Sequence, residues 1–255
     1  MYGLIRKLLG NENNRVCGLT DAGLRRENNE DCFSILADRN IFIVADGMGG
    51  HNAGEVASAE AIKALDSYFT SELVELMRND QTKIKEHMET AFLEVNKNIF
   101  AMSKENPDYA GMGCALIMAF IDGNRLHTCH VGDVRCYICN HSGILQLTND
   151  HSEVGELVRA GKMMAEEARR SEYKNILTQA VGASTTISPE YQSYNLTEKD
   201  RIILCSDGLW DMLSDEEIQE VIREKRKSPE ACKELIACAN AAGGIDNITV
   251  VVIEK

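Results

Sequence analysis

Residues 114–148 hold four apolar, β-prone runs in close succession: CALIMAFI (114–121), RLHTCHV (125–131), VRCYIC (134–139) and ILQLT (144–148). The breaks between them are two to four residues long. Parallel strands need crossovers of a dozen residues or more, so these runs can join only as antiparallel neighbours. Asp122-Gly123-Asn124 is a strong hairpin signal, and Asn140-His141-Ser142-Gly143 reads as a second turn. The centre of the chain is therefore an antiparallel meander.

Further strand-like segments lie at 16–20, 32–37, 41–45, 201–205 and 247–254. Two long helices are expected. One spans 53–69, with Val56, Ile62, Leu65 and Phe69 near one face. The other spans 82–104, where Ile84, Met88, Phe92, Val95, Ile99 and Met102 recur at steps of three and four. Two more fall between 205 and 247. Ser214 with Glu217 forms a capping box, and Ser228 followed by Pro229 reads as an N-cap with proline at N1. Residues 150–182 read as helical and charged, without strands. Helices gathered in blocks argue for an α+β fold with mainly antiparallel sheets rather than a doubly wound parallel sheet.

No repeat, low-complexity tract or linker interrupts the pattern. We expect one domain over 16–255, preceded by an extension over 1–15. Within that extension Leu4, Ile5, Leu8 and Leu9 are spaced for a short sticky helix, but a loosely packed tail is the plainer expectation. The segment is too short and lacks the cleavage site of a signal peptide.

The formal net charge of -13 repels phosphate backbones and anionic lipid, which argues against a nucleic-acid or membrane-surface partner. No apolar run approaches the ~18 residues of a membrane span, so no stable membrane insertion is expected. Nine cysteines, an odd number with no secretory signal before them, suggest reduced thiols in a cytoplasmic protein. Cys136 and Cys139, three apart on a strand, point to opposite faces and read as packing residues.

Aspartates recur where apolar runs end: Asp46 after IFIVA, Asp133 after HTCHVG, Asp207 after RIILCS, and Asp246 before NITVVV. One such aspartate is usually a turn residue or a helix cap. Several at one sheet edge would repel each other and have to protonate or recruit cations. Oxygen-only sites suit Mg²⁺ or Mn²⁺. Gly47, Gly49 and Gly50 lack a following Gly-Lys-Ser/Thr, so a nucleotide P-loop is not expected.

From Val16 to Lys255 the chain resembles the metal-dependent type 2C Ser/Thr protein phosphatases, particularly the compact bacterial forms. The resemblance rests on GLTDAGLRRENNEDCF, IFIVADGMGGHNAGEVAS, GMGCALIMAF, HVGDVRCYI, the NDHS to TQAVG stretch, IILCSDGLWDML and GGIDNITVVVI, in that order. It implies a four-layer α-β-β-α sandwich of two antiparallel sheets flanked by helices, with a mobile flap at about 150–182. It also implies hydrolysis of phosphoserine and phosphothreonine by a metal-activated water. Two Mn²⁺ or Mg²⁺ ions per chain are implied, and a third at a weaker site.

Carried over residue by residue, Asp46 would bridge two metals and Gly47 would offer its carbonyl to the first. Asp207 and Asp246 would hold the second, and Asp133 the third. Glu30 and Asp31 would meet the metals directly or through water. Arg26 matches the family's phosphate-binding arginine, whose fork suits two phosphate oxygens. His51 matches its candidate general acid, with an ordinary pKa near ~6.5. His127, His130 and His141 lack such a context and are expected to be structural. The implied partners are phosphorylated proteins, the substrates of a Ser/Thr kinase, met by a monomer. A binding module on the same fold, or a hydrolase of small phosphoesters, are the rival readings.

Overall fold

The computed structural model describes residues 9–10, 15–50 and 53–255. The chain opens with strands β1 (Leu9–Gly10), β2 (Val16–Asp21), β3 (Asp31–Leu36) and β4 (Ile41–Met48). Helices α1 (Ala53–Tyr68), α2 (Ser71–Asn79) and α3 (Ile84–Glu105) follow. The meander is β5 (Gly113–Asp122), β6 (Arg125–Val131), β7 (Arg135–Asn140) and β8 (Gly143–Gln146). Short helices α4 (Glu153–Arg159) and α5 (Ala165–Arg170) precede β9 (Glu190–Asn195) and β10 (Arg201–Cys205). The chain closes with α6 (Asp207–Trp210), α7 (Asp215–Glu224), α8 (Ser228–Ala241) and β11 (Ile248–Glu254).

The strands form two antiparallel sheets, ordered β1-β2-β11-β10-β7-β8 and β3-β4-β5-β6-β9. The meander therefore splits between them: β5 pairs with β6, β7 pairs with β8, and the chain changes sheet at Gly132-Asp133. Three apolar layers hold the sandwich together. Leu65, Phe69, Met88, Phe92 and Ile99 of the α1–α3 block cover one sheet. Ile218, Ile222, Leu235 and Ile236 of α7 and α8 cover the other. Phe33, Phe42, Val44, Ile117, Leu204 and Val251 fill the space between the sheets. This is the four-layer α-β-β-α sandwich that the resemblance implied.

Alternation along the strands decides what lies between the sheets. In β4, Ile41, Ile43 and Ala45 face the helices while Phe42 and Val44 face the opposite sheet. Both faces are buried, so the strand reads as one apolar run. Cys136 packs between the sheets and Cys139 packs under the helices, on opposite faces as their spacing requires.

Several expectations need correction. Residues 71–79 form a helix capped by Thr70, whose Oγ1 accepts from Leu73 N at 3.3 Å. Polar EYQSYN (190–195) is an edge strand paired with β6. Ser228 does not cap α8; Lys227 stands at the cap, and the Ser228 hydroxyl bonds the Arg15 carbonyl and the Glu254 carboxylate. Leu9 lies in a two-residue strand, while Leu4, Ile5 and Leu8 fall outside the described residues.

Candidate active site

The alternation that buries Phe42 and Val44 places Asp46 next on the same face, at the end of the inter-sheet layer. Asp31 opens β3 on the face that Phe33 and Ile35 continue, and the register sets Asp31 opposite Asp46. From the other sheet, β10 runs out through Ser206 into Asp207, and Asp246-Asn247 leads into β11. Asp133 sits where the chain crosses from β6 to β7. Four strand ends and one crossover thus bring Asp31, Asp46, Asp133, Asp207 and Asp246 to one end of the sandwich.

Their electrostatics show that they share that end. Burial is the largest cause raising the pKa of each of the first four, and neighbouring carboxylates add to it. Asp46 feels Asp31, Asp207, Asp133 and Asp246 and is pushed well above the ordinary carboxylate range. Asp207, facing Asp133 and Asp246, is pushed well above it too. Asp31 is raised to about 6 and Asp133 to about 7. Glu30 is raised by burial, and Arg26 only partly offsets that.

Arg26 is the cation among them. It is half exposed, and its Nη2 donates to Asp246 Oδ2 at 2.7 Å. Burial works against its charge, but the Asp246 bond and the fields of Asp207 and Glu30 raise its pKa. One arginine cannot neutralise six carboxylates.

Gly47 must be glycine for a steric reason. A Cβ there would lie 2.2 Å from the Gly54 carbonyl oxygen and 2.5 Å from that of Glu30. That close approach joins β4, the start of α1 and the Glu30 segment, and Gly47 N donates to Glu30 O at 3.1 Å. His51 lies outside the described residues.

Residues that the sequence reading did not single out hold this end together. Ser206 Oγ donates to Asp31 Oδ2 at 2.7 Å and accepts from Thr249 N at 2.9 Å. Asn247 Oδ1 accepts from Glu30 N, and Asn247 Nδ2 donates to the carbonyls of Ala22 and Asn28. Asn247 thereby ties the Arg26 loop to the Asp246 end. The only sign in the sequence was a polar residue at the mouth of an apolar strand, in IDNITVVV. Trp210 Nε1 donates to the Asp133 carbonyl at 3.1 Å.

The acidic end fits hard divalent cations. Its donors are all oxygens, and Asp31 Oδ1 is buried with no hydrogen-bond partner. An orphaned carboxylate oxygen among raised carboxyls is what a cation would satisfy.

A second set of possible ligands is more compact. His130, His151 and Glu190 offer atoms all within 4.8 Å of one another, the one such trio found among the described residues. It lies at the root of the 150–182 segment rather than at the acidic end. That segment carries α4 and α5 and returns to the sheets through isolated bridges at Ser152–Leu177 and Cys114–Val181. Beneath it lies a cavity of about 460 Å³, lined among others by Arg135, Asp150, Arg169 and Trp210. Arg135 there forks onto Asp150, with Nη2 at 2.6 Å, and stacks 3.7 Å over Trp210. His127 is structural as expected, its Nδ1 2.7 Å from the Tyr191 hydroxyl.

Comparison with known proteins finds relatives over nearly the whole chain. Residues 24–243 match the family model for protein phosphatase 2C. A serine/threonine phosphatase, stp, of Listeria monocytogenes serotype 4b is 36% identical over 239 residues, covering 92% of this chain and 94% of that protein. The crystal structure of serine/threonine phosphatase Stp1 from Staphylococcus aureus is 31% identical and superposes with a TM-score of 0.88, covering 97% of this chain and 96% of that one. The catalytic domain of the phosphatase PstP, solved with two manganese ions, is 34% identical with a TM-score of 0.81, covering 94% and 97%.

Proposed function

The chain belongs to the protein phosphatase 2C family, and from that premise we propose which of its residues carry out metal-dependent hydrolysis of phosphoserine and phosphothreonine in proteins. Asp46, Gly47, Asp207 and Asp246 hold two divalent cations, Mn²⁺ or Mg²⁺, with Glu30 beside them. Asp133 holds a third. When bound, such a pair supplies a nucleophile at neutral pH by lowering the pKa of water and neutralises charge on the phosphoryl group. The observation that carries this reading is the group of mutually repelling carboxylates at one end of the sandwich with a single arginine among the described residues there.

The remaining steps belong to the side chains. Arg26 is half exposed and, among the described residues, tethered through Nη2 to Asp246, so its fork can turn onto two phosphate oxygens and fix the substrate. Asp31 presents Oδ1 inward while Ser206 anchors Oδ2, which suits it to orient a water and accept a proton. His51 protonates the departing serine or threonine oxygen. We assign residues 16–255 to one catalytic domain with a flap over 150–182.

We also place the protein in the cytoplasm, as a monomer acting against a Ser/Thr kinase. Nine free thiols support a reducing compartment. No helix among the described residues is long and apolar enough to cross a membrane. The test is turnover of p-nitrophenyl phosphate and of a phosphothreonine peptide with Mn²⁺, with and without EDTA. Activity abolished by the chelator is expected; equal rates overturn the proposal.

A further inference from the structure

The His130, His151 and Glu190 trio looks at first like another cation site, but its hydrogen bonds leave His151 no lone pair to give to one. His130 Nε2 lies 2.8 Å from the Asn149 carbonyl, which can only accept, so Nε2 carries the ring proton. His151 Nδ1 accepts from Gly132 N at 3.2 Å. A neutral imidazole has one lone pair on nitrogen, and that bond already uses it for His151. A cation on His151 Nε2 would demand an imidazolate.

The same accounting gives the trio another task. His151 is buried, and its Nε2 lies 3.5 Å from Glu190 Oε2. Glu190 also accepts at Oε1 from Asn149 Nδ2 at 2.6 Å and from Gln192 Nε2 at 2.7 Å, and Arg159 stands 3.6 Å from Oε2. Every group facing it is a donor or a cation. The close approach of His151, then the hydrogen bonds from Gln192 and Asn149, outweigh burial and hold its pKa to about 2. Glu190 is therefore a carboxylate at any working pH. A carboxylate beside Nε2 keeps the proton there and leaves Nδ1 bare for the Gly132 amide.

Gly132 is the residue that needs this bond. It has φ +99, and a Cβ on it would lie 2.4 Å from the Ala115 Cβ. It leads directly into Asp133, whose carbonyl is held on the far side by Trp210 Nε1.

We propose that Glu190 and His151 are positioning residues: Glu190 sets the His151 tautomer, His151 fixes the Gly132 amide, and the chain so fixed aims Asp133 into the acidic end. This rests on the reading of Asp133 as a metal ligand. It couples the root of the flap, which supplies Asn149, His151 and Arg159, to the weakest of the proposed cation sites. Glu190→Gln keeps the arrangement only if Asn149 and Gln192 both turn their amides. The new amide group must face either the Asn149 and Gln192 donors or the His151 proton. In the second case His151 shifts its proton to Nδ1, which then confronts the Gly132 N–H.

Nitrogen-15 NMR of the metal-free wild-type protein tests the first link and needs no variant. His151 is expected as the Nε2-protonated tautomer; the Nδ1-protonated form overturns the proposal. Calorimetric Mn²⁺ titration of Glu190→Gln, with Asp133→Asn alongside, tests the second. Loss of affinity confined to the weakest class of sites, by about 10- to 100-fold, is expected for Glu190→Gln. If Asp133→Asn weakens that class and Glu190→Gln does not, the positioning role falls while Asp133 stays a ligand. If Asp133→Asn changes nothing, the ligand reading falls and takes this inference with it.

Discussion

The acidic end of the sandwich and the root of the flap are both rich in carboxylates, and they treat them in opposite ways. At the root three carboxylates meet their own cations or donors: Asp150 has Arg135, Asp211 has Lys174 at 2.7 Å, and Glu190 has His151 and Arg159. At the acidic end Asp46 and Asp207 meet chiefly other carboxylates. The result is a Glu190 held to about 2 and an Asp133 pushed up to about 7 on neighbouring stretches of chain. Charge satisfied from within serves as scaffolding; charge left unsatisfied is an invitation to a ligand.

The contrast breaks most severely if Arg135 is replaced. Arg135→Met would strand the buried Asp150 charge and lose the Trp210 stack, so a loss of about 3–5 kcal/mol in unfolding free energy is expected by urea denaturation. At the other end the same logic reverses. Asp46→Asn or Asp207→Asn should lower kcat on p-nitrophenyl phosphate by about 10²-fold. The metal-free variants should nonetheless melt at higher temperature than the metal-free parent, because one repelling charge is gone.

Acid sharpens the comparison further. The folded pKa values of Asp31 and Asp133 lie above the unfolded carboxyl value of about 3.9. Their contribution to stability is therefore fully present below pH 3.9 and is lost as pH rises through about 6 and about 7. Glu190 lies below its unfolded value, so its contribution is present above about pH 4.3 and is lost as pH falls towards about 2. Melting temperature measured from pH 4 to pH 8 should fall in the metal-free protein, and Mn²⁺ should flatten that fall. The smallest effect is expected from Lys174→Met, which removes a partly exposed partner of Asp211 and should cost about 1 kcal/mol or less.

Much of this was legible along the chain because it is local. Short continuous apolar runs mark most of the strands, and the aspartates that close those runs are the ones the fold gathers. Strand β9 escaped because EYQSYN is a half-covered edge with little apolar content. Ser206 and Asn247 escaped because their partners, Asp31 and Glu30, are 175 and 217 residues away in sequence. His130 has no motif around it in the sequence, and its buried Nδ1 is without a hydrogen-bond partner. The link from Glu190 to His151 crosses from β9 to the flap root, and no spacing rule reaches across it.

The acidic side chains come from both layers of the sandwich: Asp31 and Asp46 from one sheet, Asp207 and Asp246 from the ends of strands in the other. A cation held between them would also clasp the two halves at their open rim. The rim would then gape more readily in a cell starved of manganese or magnesium, and proteases would find it there first.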